Sequence, residues 1–239
     1  THIARLMHDC SPRAKRPFLT VPCGAIPANL VESAFFGHAR GAFTGATEKK
    51  VGKFEAAGEG TILLDEIDTL PLEQQASLLR VIETGEFEPV GSNATQTCAA
   101  RIIVASNWDL EEAVGSNRFR QDLYYRLKGV MMELPPLRER MEDLSLLARH
   151  FLARVAKERN EPVKHLSAEV LDVLGRHNWP GNVRELENVL GTAAIFAEGE
   201  VVGVEALEHL PELASLLAAQ RDEEEEHEPL ASSGSALSG

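Results

Sequence analysis

Two adjacent acids end an apolar run in the first third of the chain. The run TILLDE, residues 61–66, closes on Asp65 and Glu66. If this run is a strand of a parallel sheet, both carboxylates lie at the ligand-binding edge, and alternation sends them in different directions. One acid can then hold a Mg²⁺ ion while the other orients an attacking water. The alternative is that Asp65 and Glu66 have no chemical role and are acidic only because the strand ends in solvent.

Two arginines in FRQDLYYRL, residues 119–127, offer permanent positive charge. Arg120 and Arg126 have the planar guanidinium group that binds phosphate through paired hydrogen bonds. An arginine that a neighbouring subunit supplies to a bound nucleotide stabilises the charge of the transition state. On this segment alone, a pair of surface arginines is the simpler interpretation.

Two more polar residues stand at the ends of predicted elements. Asn107 ends the run RIIVASN, where it can sense a terminal phosphate or simply form a turn. Arg184, in NWPGNVREL, falls in the first turn of a helix, where a cation opposes the helix dipole. This position is explained if Arg184 reaches an external anion. The alternatives are that Arg184 lies over Trp179 or pairs with Glu187.

The string GHARGAFTGATEKK, residues 37–50, places one aromatic residue among small ones. Gly41 and Gly45 tolerate backbone angles that other residues avoid, and they predict a tight or mobile loop with Phe43 and Thr44 at its tip. A solvent-facing aromatic residue on a loop normally marks a binding surface. The alternative is a turn whose Phe43 folds back into the core.

Short apolar runs indicate the elements that must hold these residues. The runs 17–21, 60–66 and 100–107 are nearly continuous in apolar residues, as expected of buried strands in a parallel sheet. A helical pattern over 71–85, which ends at Gly85, separates two of them. This alternation predicts an α/β fold.

The character of the chain changes at Pro135 and Pro136. Beyond them the sequence is predicted to be all-helical, with helices over 141–160, 167–178 and 182–199. Ser167 and Asn182 are the predicted N-caps of the last two helices. We therefore expect a second, helical domain after the α/β domain.

Composition excludes several classes of protein. The 239 residues carry a formal net charge of −13, so the chain offers no general basic surface to nucleic acid. Six acids and one arginine fall within 221–228, and we expect the tail 213–239 to be disordered. No apolar run is long enough to cross a bilayer, and no signal peptide is recognised. Three scattered cysteines without metal-ligand spacing fit a reducing cytosol.

The order and spacing of these strings resemble one protein family. The resemblance is to the central AAA+ ATPase domain of bacterial sigma-54-dependent transcriptional activators, the enhancer-binding proteins. It covers roughly residues 1–212 and is carried by ESAFFGHARGAFTGA, GTILLDEI, RIIVASN, FRQDLYYRL, PPLRERMEDL and WPGNVRELENV. The string GAFTGA is nearly diagnostic among AAA+ families. The resemblance implies an AAA+ P-loop NTPase fold, with an α/β subdomain over 1–135 and a helical lid over 136–212, in a cytoplasmic protein.

The resemblance also implies roles at the nucleotide, with ATP and Mg²⁺ as ligands. Asp65 and Glu66 correspond to the Walker B pair, in which Asp65 helps to hold Mg²⁺ and Glu66 orients the hydrolytic water. Thr1 matches the residue beside the phosphate-loop lysine and would contact nucleotide and Mg²⁺. Asn107 looks like the sensor I residue.

The remaining candidates concern neighbouring subunits and partners. Arg120 and Arg126 look like arginine fingers that act across the interface of a ring, usually a hexamer, and Arg184 looks like sensor II in the lid. The loop 41–46 is implied to contact the sigma-54 factor of RNA polymerase. Its residues are Gly41, Ala42, Phe43, Thr44, Gly45 and Ala46.

The chain departs from the family pattern in three respects. The glycine-rich phosphate loop GxxxxGK and the strand before it are absent, so we expect the sequence to be a fragment that begins inside that loop. Pro22 stands where the family usually has an asparagine that restrains the catalytic glutamate, and proline cannot make that hydrogen bond. No helix-turn-helix is recognised, so enhancer DNA would be bound only through a segment outside this sequence.

Three functions remain in competition at this point. The first is an ATPase module that remodels the closed complex of sigma-54 RNA polymerase. The second is a non-hydrolysing module that binds sigma-54 or sister subunits, which Pro22 and the absent phosphate loop favour. The third is an AAA+ protein with another task, against which the GAFTGA string argues.

Overall fold

A computed structural model describes residues 1–218 of the chain. The chain divides into two compact units, of which the first comprises Thr1–Met131 and the second begins at Met132. The first unit therefore ends at Met131, four residues before Pro135, where the sequence analysis expects the boundary. Each unit has its own hydrophobic core.

The first unit is built on a parallel sheet of three strands in the order β1-β4-β7. These strands are β1 (Phe18–Pro22), β4 (Thr61–Asp65) and β7 (Arg101–Val104). Strand β4 lies in the middle, and its residues 61–64 are buried, because a central strand of a parallel sheet is covered on both faces. The three predicted strands are thus confirmed, and Glu66 and residues 105–107 lie just beyond the strand ends.

Two short antiparallel hairpins extend from this unit. The first pairs β2 (Gly37–His38) with β3 (Lys50–Val51), and the second pairs β5 (Glu86–Phe87) with β6 (Gln96–Thr97). Phe36, Phe54 and Phe87 form a buried aromatic cluster in which the ring of Phe36 stacks on each of the other two with centroids 5.6 Å apart. This cluster fixes the bases of both hairpins to one core.

Six α-helices belong to the first unit, within residues 1–131. The longest is the predicted helix 71–85, which the structure gives as Leu72–Thr84 with Gly85 in the left-handed conformation as its cap (φ 72°). The helices are α1 (His2–Asp9), α2 (Val31–Phe36), α3 (Lys53–Ala57), α4 (Leu72–Thr84), α5 (Leu110–Gly115) and α6 (Gln121–Leu127).

The second unit packs three main helices around a buried tryptophan. They are α7 (Leu144–Arg159), α8 (Ala168–Arg176) and α9 (Asn182–Phe196). Trp179 is fully buried, and its indole nitrogen donates a hydrogen bond to the carbonyl of Leu174 at 3.0 Å. The all-helical prediction needs one correction, because β8 (His165–Leu166) and β9 (Val201–Val202) form a small parallel pair. Strands of two residues are too short to show an alternating pattern.

The two predicted caps have different outcomes. Ser167 caps α8 as expected, because its hydroxyl accepts a hydrogen bond from the amide of Val170 at 3.2 Å. The prediction for Asn182 is wrong: Gly181 is the N-cap of α9, and Asn182 is its first residue. The Asn182 side chain is used instead to accept a hydrogen bond from the amide of Leu137 at 2.8 Å.

The predicted start of the acidic tail also needs correction. Leu213 and Leu217 are 0% and 5% exposed and belong to the core of the second unit. The apolar spacing of these leucines continues the fold beyond residue 212, whereas the sequence analysis placed the tail from 213. The charged part of the predicted tail, 221–228, lies outside the described residues.

Candidate functional site

The candidate site begins at the carboxyl end of the central strand. Asp65 is the last residue of β4 and pairs in register with Pro22, the last residue of β1. The hydroxyl of Thr1, at the start of α1, donates a hydrogen bond to Oδ2 of Asp65 at 3.0 Å. The fold thus brings together a hydroxyl and a carboxylate that are 64 positions apart in the chain.

Glu66 turns away from the strand through a strained backbone. It adopts the left-handed conformation with φ 57°, which is uncommon for a residue other than glycine and often marks a functional position. Its carboxylate lies over Gly24, where an added Cβ atom would approach Oε2 to 2.6 Å. Within residues 1–218 no hydrogen bond or ion pair to the Glu66 carboxylate is found. The carboxylate is therefore open to an external water.

The acids impose a negative environment on a neighbouring thiol. Cys23 is buried, and its burial, with the charges of Asp65, Glu66 and Asp68, raises the pKa of the thiol to about 12. The thiol is therefore neutral at physiological pH, and a neutral thiol is a poor nucleophile.

Asp68 is a third acid at this edge, and the sequence analysis did not identify it. Its side chain is 6% exposed, and its Oδ1 atom accepts a hydrogen bond from the amide of Asn107 at 3.2 Å. Asp68 therefore joins the turn after Glu66 to the segment that follows β7. The one signal in the sequence was its place in the string DEID, three residues after Asp65.

Asn107 itself lies in the exposed segment after β7. The amide of Ala105 continues the sheet ladder by donating to the carbonyl of Leu64 at 2.9 Å, so this segment runs beside the end of β4. The structure thus places Thr1, Asp65, Glu66 and Asn107 at one edge of the sheet. The strand pattern predicted this edge for Asp65 and Glu66, whereas the family resemblance alone implied Thr1.

The two candidate arginines lie on and before α6. The guanidinium of Arg120 donates two hydrogen bonds to the carboxylate of Asp122, at 3.0 and 2.7 Å. This contact raises the pKa of Arg120 and lowers the pKa of Asp122. Arg126 is exposed and its guanidinium donates to the carbonyl of Glu83 at 3.5 Å. Neither arginine bonds to the Asp65 or Glu66 side chain of the same chain.

Arg184 belongs to the second unit, in the first turn of α9. Neither structural alternative is found among residues 1–218: Trp179 is fully buried with its ring against His177, and Glu187 forms an ion pair with Arg154. Arg184 is exposed, and no hydrogen bond or ion pair to it is found among the described residues. Its guanidinium is available to an external anion.

The loop 41–46 is the second candidate site of the first unit. Gly41 and Gly45 have φ values of 80° and 101°, so both require the freedom of glycine. The loop is closed by a hydrogen bond from the amide of Gly41 to the carbonyl of Ala46 at 2.8 Å. Thr44 is exposed and Phe43 is 39% exposed, which excludes the alternative of a core phenylalanine.

The loop is supported at both ends rather than wholly solvent-facing. The ring of Phe43 packs edge-on against buried His38 with centroids 5.0 Å apart. Ala46 is buried, so the last residue of the predicted contact segment is part of its base. Below Ala42 lies Gly91 (φ 73°), where an added Cβ atom would approach the Cβ of Ala42 to 2.7 Å. The sequence analysis did not identify this support from the second hairpin.

Family models match both units of this chain. Residues 1–133 match the model described as the sigma-54 interaction domain, and residues 138–228 match the AAA+ ATPase lid domain. The chain belongs to the sigma-54 interaction domain family. This confirms the family that the GAFTGA, TILLDE and FRQDLYYRL strings indicated, and the parallel α/β fold with its following helical region.

Curated relatives and solved structures agree with this family. The chain is 49% identical over 205 residues to the Nif-specific regulatory protein of Azospirillum brasilense (86% of this chain, 33% of the relative) and 46% identical to regulatory protein AtoC of Escherichia coli (86% and 44%). It therefore spans a third to a half of these relatives' lengths. The crystal structure of NtrX from Brucella abortus in complex with ADP matches with a TM-score of 0.79 at 31% identity (86% and 46%). The complex of NtrX with ATP matches with a TM-score of 0.78 at 32% identity (86% and 45%).

No helix within residues 1–218 combines the length and the apolar character needed to cross a membrane.

Proposed function

We propose that this domain is the ATPase module of an activator that remodels sigma-54 RNA polymerase. The observation that carries the proposal is the hydrogen bond from Thr1 to Asp65, beside the Glu66 carboxylate, which has no partner among residues 1–218. A hydroxyl, a carboxylate and a free general base at the carboxyl edge of a parallel sheet are the groups that nucleotide hydrolysis requires. The same unit displays the loop 41–46, which supplies the contact with the partner.

Thr1 and Asp65 are the residues that would hold Mg²⁺. Their oxygen atoms suit this hard cation, which proteins usually bind through one or two side chains while the phosphates and water complete the shell. When bound, Mg²⁺ would neutralise charge on the phosphates of ATP.

The other residues act on water and phosphate. Glu66 orients the attacking water and accepts its proton, since its carboxylate has no competing partner among the described residues. Asn107, held by Asp68, lies where it can sense the terminal phosphate. Arg184, whose guanidinium is unpaired among residues 1–218, binds phosphate from the lid.

Arg120 and Arg126 are proposed to serve the nucleotide of a neighbouring copy in a ring, which we infer to be hexameric. Arg120 bonds to Asp122 and Arg126 to the carbonyl of Glu83, not to Asp65 or Glu66 of the same chain, which supports action across a subunit interface. Arg120 would exchange Asp122 for phosphate in the assembled ring, because its paired N–H groups match either anion.

The partner is proposed to be the sigma-54 factor, contacted by Phe43 and Thr44 at the tip of the loop. The net charge of −13 argues against direct contact of this domain with DNA, so enhancer DNA would be bound through a helix-turn-helix in a longer protein. Because the proposed activity acts on RNA polymerase, we infer that it takes place in the cytoplasm.

The test is Mg²⁺-dependent ATP turnover in a longer protein that carries a GxxxxGK loop directly before Thr1. We expect Glu66→Gln to lower the rate by roughly 10²–10⁴-fold, the usual contribution of a general base. Residues 1–239 alone lack this loop and should show no turnover above their own Glu66→Gln variant. Turnover by residues 1–239 above that variant would contradict the need for the loop. An unaffected Glu66→Gln rate in the longer protein would contradict the proposal.

The second candidate is a non-hydrolysing module that binds sigma-54 or sister subunits. Pro22 favours it, since proline at the end of β1 cannot restrain Glu66 through a side-chain amide. This candidate predicts sigma-54 binding by the longer protein without any turnover of ATP, so the same assay separates the two.

A further inference from the structure

The segment that carries Arg120 rests on a buried glutamine. Gln75, in α4, is 0% exposed, although most of its neighbours in this core are apolar. A buried amide is costly unless it is hydrogen-bonded. The amide nitrogen of Gln75 donates to the carbonyls of Leu70, at 2.8 Å, and Arg118, at 3.2 Å. Its Oε1 atom accepts from the amide of Arg120 at 2.8 Å. Three of the four hydrogen-bonding positions of the side chain are therefore occupied.

These hydrogen bonds set the start of helix α6. Arg120 is the N-cap of α6, and no side chain caps that helix. The backbone of this segment is held by Gln75 on both sides of Phe119, whose own side chain is 3% exposed and packs in the core. Gln75, together with the buried side chains of Phe119 and Leu123, therefore holds the start of α6 and the backbone of Arg120 in place.

Gln75 also reaches back toward the catalytic acids. Its bond to Leu70 holds the residue that closes the short helical turn Ile67–Thr69, which directly follows Glu66. One amide group therefore connects the turn after Glu66 to the arginine segment of the same chain. Asp122, by contrast, accepts hydrogen bonds from the guanidinium of Arg120 and from the amide of Leu123, whereas the Arg120 amide bonds to Gln75.

We propose that Gln75 is a positioning residue for Arg120: it fixes the backbone from which the guanidinium reaches the nucleotide of a neighbouring copy. This inference rests on the proposed function. A long side chain magnifies a displacement at its base, and an error of about 1 Å at a reacting group can reduce a rate by about 10²-fold. A loss of Gln75 therefore harms catalysis at the neighbouring site, although Gln75 touches neither nucleotide nor water.

The first arm of the test measures the hydrogen bond itself in residues 1–239. Gln75→Met keeps the length of the side chain but removes all three bonds, and Gln74→Met, one residue earlier on α4, is the matched control. We expect hydrogen exchange at the Arg120 amide to accelerate at least tenfold in Gln75→Met and to stay unchanged in Gln74→Met. Unchanged exchange in a folded Gln75→Met protein would overturn the proposal.

The second arm separates positioning from folding by mixing two variants of the longer protein. Glu66→Gln copies cannot hydrolyse their own ATP but keep their arginines, whereas Gln75→Met copies keep Glu66 but misplace Arg120. We expect the mixture to turn over ATP at least tenfold faster than either variant alone. A defect in folding alone would not be rescued in this way. If Gln75→Met does not melt cooperatively, Gln75→Leu takes its place, because it also removes the acceptor for the Arg120 amide.

Mixing Arg120→Ala with Glu66→Gln is the control that keeps the two proposals apart. If this control mixture is rescued and the Gln75 mixture is not, the role of Gln75 is overturned and the proposed function stands. If neither mixture is rescued, action of Arg120 across subunits is wrong, and the role of Gln75 fails with it. A wild-type rate in Gln75→Met alone would also overturn the positioning role.

Discussion

Two regions of the first unit differ in chemistry and in exposure. One is the carboxylate edge, formed by Thr1, Asp65 and Glu66, and the other is the contact loop 41–46. The edge concentrates charge around a fixed geometry, with Thr1 bonded to Asp65 at 3.0 Å and Glu66 held in a strained conformation. The loop contains no titratable side chain and displays Phe43 between two glycines with positive φ. Hydrolysis requires fixed polar groups, whereas recognition of a protein partner requires an accessible apolar one.

The two regions are also supported by different forces. At the carboxylate edge, buried Asp68 joins two strand ends through a charge-assisted hydrogen bond to the amide of Asn107. Below the contact loop, Ala42 lies directly against Gly91, and the support is close packing without charge. Substitutions should therefore damage one region without the other, and the predictions below are arranged by the size of the expected effect.

The largest effect is expected from the arginines. In the longer protein, Arg120→Ala and Arg126→Ala should each reduce ATP turnover by roughly 10³–10⁵-fold while largely preserving ATP binding, as a trans-acting arginine typically does. Turnover and nucleotide binding measured on the same preparations test this. If mixed assemblies show that a mutant subunit fails only at its own nucleotide, the arginines act in cis and the assignment is wrong.

Phe43→Ala should have the next largest effect, and it should fall on partner binding. Loss of an aromatic anchor at an interface costs about 2 kcal/mol or more, or about 30-fold in affinity for sigma-54. Because Phe43 is 39% exposed and its ring packs edge-on against His38, the free energy of unfolding should fall by only about 1 kcal/mol. Thermal melting with a sigma-54 binding assay measures both. A core phenylalanine would instead cost roughly 3–5 kcal/mol of stability, and that result would contradict the display of Phe43.

Gly91→Ala tests the support of the loop and should have a smaller effect. The added methyl group meets the Cβ of Ala42 at 2.7 Å, so the loop must shift. We expect affinity for sigma-54 to fall by roughly three- to tenfold, the scale of a 1 kcal/mol perturbation, with ATP turnover unchanged. Gly58→Ala is the matched control, since Gly58 also has positive φ (53°) but has open space around it. Equal effects of the two variants on binding would show that backbone strain, not the contact with Ala42, is responsible.

Pro22→Asn should produce the smallest change. It tests whether a side-chain amide at position 22 restrains Glu66. Pro22 lies opposite Asp65 at the end of β1. The Glu66 carboxylate, which has no partner among residues 1–218, lies over Gly24, two residues after Pro22. An asparagine amide there could donate a hydrogen bond to Glu66, which at about 0.5–1.5 kcal/mol should slow basal turnover by about two- to tenfold. Pro22→Ala, which adds no donor, is the control. Equal rates for the two variants would contradict a restraint at this position.

The sequence was sufficient for the parts of the fold that depend on local patterns. The three strands and α4 follow from continuous apolar runs and from Gly85, and the carboxylate edge follows because parallel strands end on the same side of a sheet. The GAFTGA string likewise predicted the positive φ values of Gly41 and Gly45. Each of these inferences needs only residues that are close in the chain.

What the sequence did not reveal depends on contacts between distant residues. Gln75 and Gly91 are ordinary in their own segments, and their roles emerge only when Arg120 and Ala42 are brought against them. Asn182 shows the same limit, since its side chain bonds to Leu137 instead of capping α9. No local propensity contains information on such pairs.

The central claim is that hydrolysis and partner contact occupy separate regions of one unit, and parallel assays on two variants test it most directly. ATP turnover and sigma-54 binding would be measured on Phe43→Ala and on Glu66→Gln in the longer protein, each beside the wild type. We expect Phe43→Ala to keep turnover within twofold and to lose sigma-54 binding, while Glu66→Gln loses turnover and keeps the melting temperature of the wild type. Parallel loss of turnover, binding and melting temperature in Phe43→Ala would contradict the account.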